Sequence, residues 1–276
     1  MNATDPFDHA AELIRQADGL IVAAGAGMGV DSGLPDFRGD AGFWRAYPAL
    51  GRARLAFASV ASPATFRADP ALAWGFYGHR LALYRATLPH PGFALLREWR
   101  AELPHGAFVF TSNVDGQFQQ AGFDPAHVHE CHGSIHHLQC LRPCCREIWP
   151  ADAFVPDVDA DACRLRNEAP VCPRCGALAR PNILMFGDAE WVEERSARQA
   201  ARLQAWLERV RRPVVIELGA GTAVPSVRHF SQQVVHGGGR LVRINPREWE
   251  VPKSRDVGLA AGALEGLRAI AARLAS

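Results

Sequence analysis

No apolar run in the 276 residues approaches the length of a bilayer span, which excludes a transmembrane helix as the organising element. A charge surplus is also missing. The 30 Lys+Arg and 29 Asp+Glu residues leave a net +1, without the electrostatic footprint of a dedicated nucleic-acid binder. The opening stretch, MNATDPFDHAAELIRQ, carries Asp5, Asp8 and Glu12 where a secretory leader needs a basic and then an apolar segment. The expected compartment is therefore the cytoplasm. There is no internal repeat, and the seven cysteines do not make an even set. Most of them fall into two tight groups, which in a reducing compartment points to metal before disulfides.

What is present is an ordinary globular composition, 48% apolar and 21% charged. The length suits one large domain carrying insertions. Short apolar runs at 20–27, 107–113, 127–133, 182–188, 214–221 and 241–246 each read as a buried strand leading into a loop. Their lack of in/out alternation is expected where helices cover both faces of a parallel sheet. Helical patterns occupy 8–16, 191–210 (with Ala200, Leu203, Leu207 and Val210 in register) and 262–275. The alternation predicts an α/β fold, a Rossmann-like parallel sheet domain with an inserted helical module and a small zinc-binding module. The expected division gives 1–39, 107–133 and 182–276 to the Rossmann-like domain, 40–106 to the helical insertion and 134–181 to the zinc-binding module.

The first strand runs into Gly25-Ala26-Gly27-Met28-Gly29. Glycines at that place let backbone approach a pyrophosphate, with the following helix favouring the anion. The fingerprint is incomplete, because Val30 stands where a third glycine belongs and no acidic residue follows at the usual distance.

The continuation is more specific. Gly25 to Gly39 reads GAGMGVDSGLPDFRG, with Phe43-Trp44 beyond it, and closely resembles the sirtuin signature. Thr111-Ser112-Asn113-Val114-Asp115, His132-Gly133-Ser134-Ile135, Asn182 to Asp188 and Ile244-Asn245 resemble further blocks of that family, in the family's order. The resemblance implies an NAD-dependent protein-lysine deacylase that releases nicotinamide and O-acyl-ADP-ribose. It implies His132 as catalytic base, with Asn113 and Asp115 holding the nicotinamide ribose and its neighbours. It implies that Asp36, Phe37 and Arg38 shield the reacting centre, and that Asn245 meets the adenosine end. Gly25, Ala26, Gly27, Met28, Ser112, Gly219, Ala220 and Gly221 complete the implied NAD contacts. Met185, Phe186 and Gly187 fall in the segment that pairs with substrate peptide as an added strand.

Imidazole suits the role of base, because it titrates near neutral pH. Five histidines crowd between His127 and His137, and His132 is distinguished among them only by its Gly-Ser-Ile context. Ser112 departs from the glutamine common in sirtuins, and Gly29 from a frequent serine. The Ser112 departure keeps open a mono-ADP-ribosyltransferase or NAD hydrolase on the same scaffold.

The cysteines carry a second signal. Cys172-Pro-Arg-Cys175-Gly176 is a zinc-knuckle half, and Cys140-Leu-Arg-Pro-Cys144-Cys145 is the other, with one residue beyond the standard spacing. Together they predict one structural zinc held by four thiolates, through Cys140, Cys144, Cys172 and Cys175, with Cys145 the competitor for Cys144. Cys131 and Cys163 are left over, Cys131 beside His132.

Trp74, Tyr77, Leu81 and Tyr84 fall on one helical stripe, which reads as core. Tyr77-x-x-Arg80 also resembles the pair with which desuccinylase-type sirtuins grip an acidic acyl group, and a guanidinium fork beside a phenol suits a carboxylate. The expected partners are acyl-lysine proteins or peptides. The sequence gives no sign of oligomeric state.

Overall fold

The computed structural model describes residues 5–36 and 39–276. Helix α1 (Pro6–Gln16) begins where Asp5 caps it, its carboxylate accepting the Phe7 N–H at 2.9 Å with Pro6 in the first turn. Strand β1 (Gly19–Ala24) follows and leads into a 3-10 segment, Ala26–Ser32. Next come helices α2 (Gly39–Ala46), α3 (Pro48–Arg52), α4 (Phe57–Val60), α5 (Pro63–Ala68), α6 (Pro70–Ala86) and α7 (Gly92–Ala101). Prolines at the starts of α3, α5 and α6 punctuate this run into short pieces.

Strand β2 (Ala107–Thr111), helix α8 (Gln117–Gln120) and strand β3 (Val128–Glu130) return the chain to the sheet. It then leaves through β4 (Gly133–Cys140), β5 (Ile148–Pro150), β6 (Val158–Asp159), β7 (Arg164–Leu165) and β8 (Ala179–Ile183). The last part is α9 (Glu194–Leu207), β9 (Pro213–Leu218), α10 (Ser226–His236), β10 (Arg240–Ile244), β11 (Val257–Leu259) and α11 (Ala263–Leu274).

Six strands pair in parallel in the order β11-β10-β9-β1-β2-β3. Leu20, Val22 and Ala24 of β1 face one core with α1, α7 and α11, while Ile21 and Ala23 face another with Leu203, Trp206 and Val227 of α9 and α10. Burial on both faces explains the uninterrupted apolar runs. The short helices and the β4–β8 region share a third core around Phe43, Phe66, Trp74, Tyr77, Ile135 and Met185.

One expectation needs correcting, and one strand was not expected. The run at 182–188 is not a parallel strand. Only Asn182 and Ile183 are extended, at the end of β8, which pairs antiparallel with β4. The sixth parallel strand is β11, whose three residues around Gly258 are too few to display a pattern. The edge position lets so short a strand persist.

Candidate active site

The chain fills β1, β2 and β3 outward on one side, then crosses to β9, β10 and β11 on the other. The strand order therefore reverses between β1 and β9. In open α/β sheets the crevice beyond the carboxyl ends of strands at such a switch point is where ligands bind. Both glycine-bearing turns lie there. Gly25 N–H bonds to the Leu218 carbonyl at 2.9 Å, and Gly27 N–H to the Gly219 carbonyl at 3.0 Å. A Cβ on Gly27 would meet Gly219 Cα at 2.6 Å, and Gly219 holds φ +57° against the Gly27 backbone. Only bare backbone lets the two turns approach this closely. The observation fits the demand of a dinucleotide pyrophosphate for a wall without side chains.

The other walls are latched by buried side chains. His90 accepts the Gly92 N–H through Nδ1 and donates from Nε2 to the Met28 carbonyl at 3.0 Å. Met28 itself is fully buried in the core, so it shapes the turn with its main chain and turns its side chain away from the crevice. Asn245 is also fully buried. Its amide donates to the Ala220 carbonyl at 2.9 Å, and its carbonyl accepts the Arg247 and Glu248 N–H groups. It braces the loop carrying Ala220 and Gly221, to which Arg228 adds two more bonds at the Ala220 carbonyl. Asp36 is half-buried. Phe37 and Arg38 lie outside the described residues.

At the end of β2, Thr111 Oγ1 donates to the Ala24 carbonyl at 2.9 Å and accepts the Asn113 N–H at 3.0 Å. Asn113 Nδ2 then donates to the Gly25 carbonyl at 3.0 Å, which ties this block to the glycine turn. Ser112 N–H reaches the Ala24 carbonyl, and its side chain is half-buried. Asp115 is buried and accepts the Gln117 N–H at 2.9 Å. Burial pushes its carboxyl up to about 6 against that hydrogen bond, helped by the nearby Glu130 and opposed by Arg80.

His132 follows β3, and the chain turns at once through Gly133, at φ +81°. A Cβ on Gly133 would meet the Asn182 carbonyl at 2.1 Å, so the turn requires glycine. His132 Nε2 lies 3.0 Å from Ser226 Oγ at the start of α10. Burial lowers the His132 pKa and so favours the neutral ring, partly offset by a hydrogen bond to the Ser112 backbone. If that bond is made by the ring N–H, Nε2 carries the basic lone pair. Beside it Cys131 is no reactive neighbour, because burial pushes its thiol up to about 12.

The segment after β8 connects His132 to the helical module. Leu184 N–H bonds to the His132 carbonyl at 2.9 Å, and Phe186 N–H to the Ala61 carbonyl at 3.0 Å. Met185 is buried, whereas Phe186 is 45% exposed and packs edge-on against Phe57. Gly187 turns at φ +65°. The turn is held by Asp188, which accepts both Arg180 guanidinium nitrogens at 2.7 and 2.9 Å, with both side chains fully buried. Tyr77 and Arg80 sit behind this segment. Arg80 donates from Nε and Nη2 to the Tyr84 hydroxyl at 2.9 and 2.8 Å, with its guanidinium over the Phe76, Tyr77 and Tyr84 rings. Tyr77 stacks on Phe66.

The sulfurs of Cys140, Cys144, Cys172 and Cys175 lie within 4.8 Å of one another, and the Cys140–Cys175 and Cys144–Cys172 pairs are each 3.7 Å apart. A tetrahedron of thiolates at the usual zinc–sulfur distance has edges of about 3.8 Å, so the four fit one zinc ion. Cys145 stands 3.8 Å from Cys144 but outside the set of four. Cys163 is buried in the core beside α6 and is not one of the four gathered thiols.

Sequence reasoning did not identify Ser226 or His90, since each meets its partner across a long stretch of chain without a local motif. The dipeptide Pro225-Ser226 at the head of a helix was the one available signal.

The Sir2 family model matches residues 25–207. An NAD-dependent protein deacylase of Thermococcus kodakarensis is 31% identical over 252 residues, covering 90% of this chain and 88% of its own. NAD-dependent protein deacylase 1 of Pseudomonas aeruginosa is 30% identical, covering 86% of each chain. A crystallised Sir2 homolog–NAD complex superposes with a TM-score of 0.71 at 23% identity, over 99% of this chain and 96% of that one, and supports the fold. With its glycine turns at the switch point and its four gathered thiols, the chain belongs to the Sir2 family.

Proposed function

We propose that the protein is an NAD-dependent protein-lysine deacylase that yields nicotinamide and an O-acyl-ADP-ribose. The observation that carries this reading is the placement of His132. Its pKa is lowered by burial, it is held 3.0 Å from Ser226, and it is joined through its own carbonyl to the segment that presents Met185 and Phe186. A base so placed serves a step in which a ribose hydroxyl gives up its proton, which deacylation needs and simple NAD hydrolysis does not.

NAD supplies an electrophilic ribose carbon once nicotinamide departs. The chain's part is to hold and exclude. The Gly25–Gly27 and Gly219 turns offer bare backbone to the pyrophosphate. Asn113, with its amide N–H committed to Gly25, keeps its carbonyl oxygen as an acceptor for a ribose hydroxyl. Asp115, its carboxyl pushed up to about 6 by burial, is assigned a polar contact beside the nicotinamide ribose. Asp36, Phe37 and Arg38 are assigned to the covering loop, and Asn245 acts by bracing the adenosine side.

Met185, Phe186 and Gly187 are the proposed substrate-strand contacts, with Tyr77 and Arg80 facing the acyl end. The four cysteines hold zinc structurally, leaving no open ligand position. No helix among the described residues is long and apolar enough to cross a membrane. We place the protein in the cytoplasm, where thiols remain reduced for zinc.

The test is to incubate the purified protein with NAD and acyl-lysine peptide and resolve the products by mass spectrometry. O-acyl-ADP-ribose formed together with free lysine peptide supports deacylation. ADP-ribose on protein, or free ADP-ribose without deacylation, would overturn it.

A further inference from the structure

A cavity of about 620 Å³ opens between the end of α6, α8, β4 and the outer part of α9. Its size is that of a small-molecule site. Among its described lining residues are none of the glycine turns, Asn113 or His132. It is therefore a different cleft from the crevice at the switch point.

Its most uneven feature is charge. Arg195, Arg198 and Arg202 project into it from one face of α9, at i, i+3 and i+7, and Arg85 faces them from α6. Two of these are fixed by neutral acceptors. Arg85 donates to the Phe154 and Ala151 carbonyls at 2.7 and 2.8 Å, and Arg202 to the Ala126 carbonyl at 3.0 Å. A carbonyl orients a guanidinium without cancelling its charge. Arg195 alone meets a carboxylate, Glu130 at 2.5 Å, and its Nη1 is buried without a partner, as is Nδ1 of the adjacent His137. A buried guanidinium N–H left unpaired is costly, and an acceptor entering the cleft would relieve it after a small side-chain turn.

The field of these arginines reaches their neighbours. His137 is pushed down to about 4 by burial and then by Arg195 and His136, and His129 to about 4 by burial and then by Arg202 and His132. Asp115 is the one acidic side chain in the described lining, and it is tied to Gln117.

We propose that this cleft binds a small polyanion, a molecule bearing at least two carboxylate or phosphate groups. Arginine forks match both groups in geometry, and the amides of Gln119 and Gln120 supply neutral donors around them.

The test is calorimetric titration of the intact, zinc-loaded chain at low ionic strength with two probes, citrate and inorganic pyrophosphate, each in the presence of saturating ADP-ribose. The expected result is one equivalent of probe bound. Arg198→Gln should weaken it about ten-fold, the scale of one charge-assisted contact, and Arg209→Gln, the same charge change elsewhere on the surface, should leave it within about two-fold. Tighter citrate identifies a polycarboxylate, and tighter pyrophosphate a phosphate ligand. ADP-ribose affinity measured on each variant checks that the fold is intact. The proposal is overturned if neither probe binds by about 10 mM. It is also overturned if Arg209→Gln weakens binding as much as Arg198→Gln, or if ADP-ribose abolishes probe binding.

Discussion

His132 Nε2 and Ser226 Oγ, 94 residues apart in sequence, stand 3.0 Å from each other and join the end of β3 to the start of α10. The bond fixes the ring plane and spans the switch point. His132→Ala should therefore remove most deacylation, about 10²- to 10⁴-fold, while ADP-ribose still binds. Ser226→Ala should cost about five- to ten-fold, in kcat rather than KM, the scale of one hydrogen bond that positions the base. Equal kcat values for parent and Ser226→Ala would remove the positioning role.

The pH dependence follows from the same burial. His132 must be neutral to act, and its folded pKa is lowered, so the acidic limb of kcat/KM should lie below the ordinary histidine value of about 6.5. The linked stability has a definite sign. A histidine with a depressed folded pKa contributes stability above its unfolded pKa and loses it as pH falls through the folded one. An acidic limb above about 6.5 would contradict both statements.

Asp115 carries the opposite sign. Its folded pKa is raised from 3.8 to about 6, so its contribution to stability is complete below 3.8 and is lost as pH rises through 6. At pH 8 the buried carboxylate is a liability. Asp115→Asn keeps an acceptor for the Gln117 N–H and should raise the melting temperature at pH 8, with an upper bound of about 3 kcal/mol. The same variant should lose NAD turnover. A melting temperature lowered equally at pH 5 and pH 8 would show that packing, not charge, governs the position.

The parts of this molecule that were legible in the sequence are those whose physics is local. Gly25–Gly27 announces a backbone approach, and Cys172-x-x-Cys175 announces a thiolate pair. The continuous apolar runs announce buried parallel strands. The misread run at 182–188 shows the limit of that rule. Its apolar residues are spent on the third core through Met185 and on an exposed lip through Phe186, a division no periodicity encodes. Ser226 and His90 were invisible for a related reason. Each is defined by where a distant segment docks. The arginine stripe on α9 was present in the helix pattern but had no meaning until Arg85 appeared opposite.

Zinc removal tests the thiol cluster. Cys172→Ser should lower bound zinc, measured by elemental analysis, and reduce the melting temperature, because a closed four-cysteine site contributes folding free energy directly. Cys145→Ser should retain one equivalent, since Cys145 lies outside the four gathered sulfurs. Metal lost from Cys145→Ser but kept in Cys144→Ser would reassign the fourth ligand.

The acyl preference turns on Arg80. Its Nε and Nη2 both go to the Tyr84 phenol, and those bonds hold the guanidinium in place. The Phe76, Tyr77 and Tyr84 rings surround it, and this low-dielectric setting strengthens any pairing with a carboxylate. If Arg80 receives an acidic acyl group, Arg80→Met should lower kcat/KM for succinyl-lysine peptide by about ten- to hundred-fold, corresponding to about 1.5–3 kcal/mol. Acetyl-lysine turnover should be kept or improved, since methionine preserves much of the aliphatic stem against the rings. Tyr84→Phe separates holding from binding. Loss of the phenol frees the guanidinium to turn, so succinyl turnover should fall less than in Arg80→Met, and mainly through KM. A structural role alone would lower both substrates together in both variants. A parent enzyme that prefers acetyl over succinyl peptide would sink the acidic-acyl reading before any variant is made, and would leave the deacylase assignment standing.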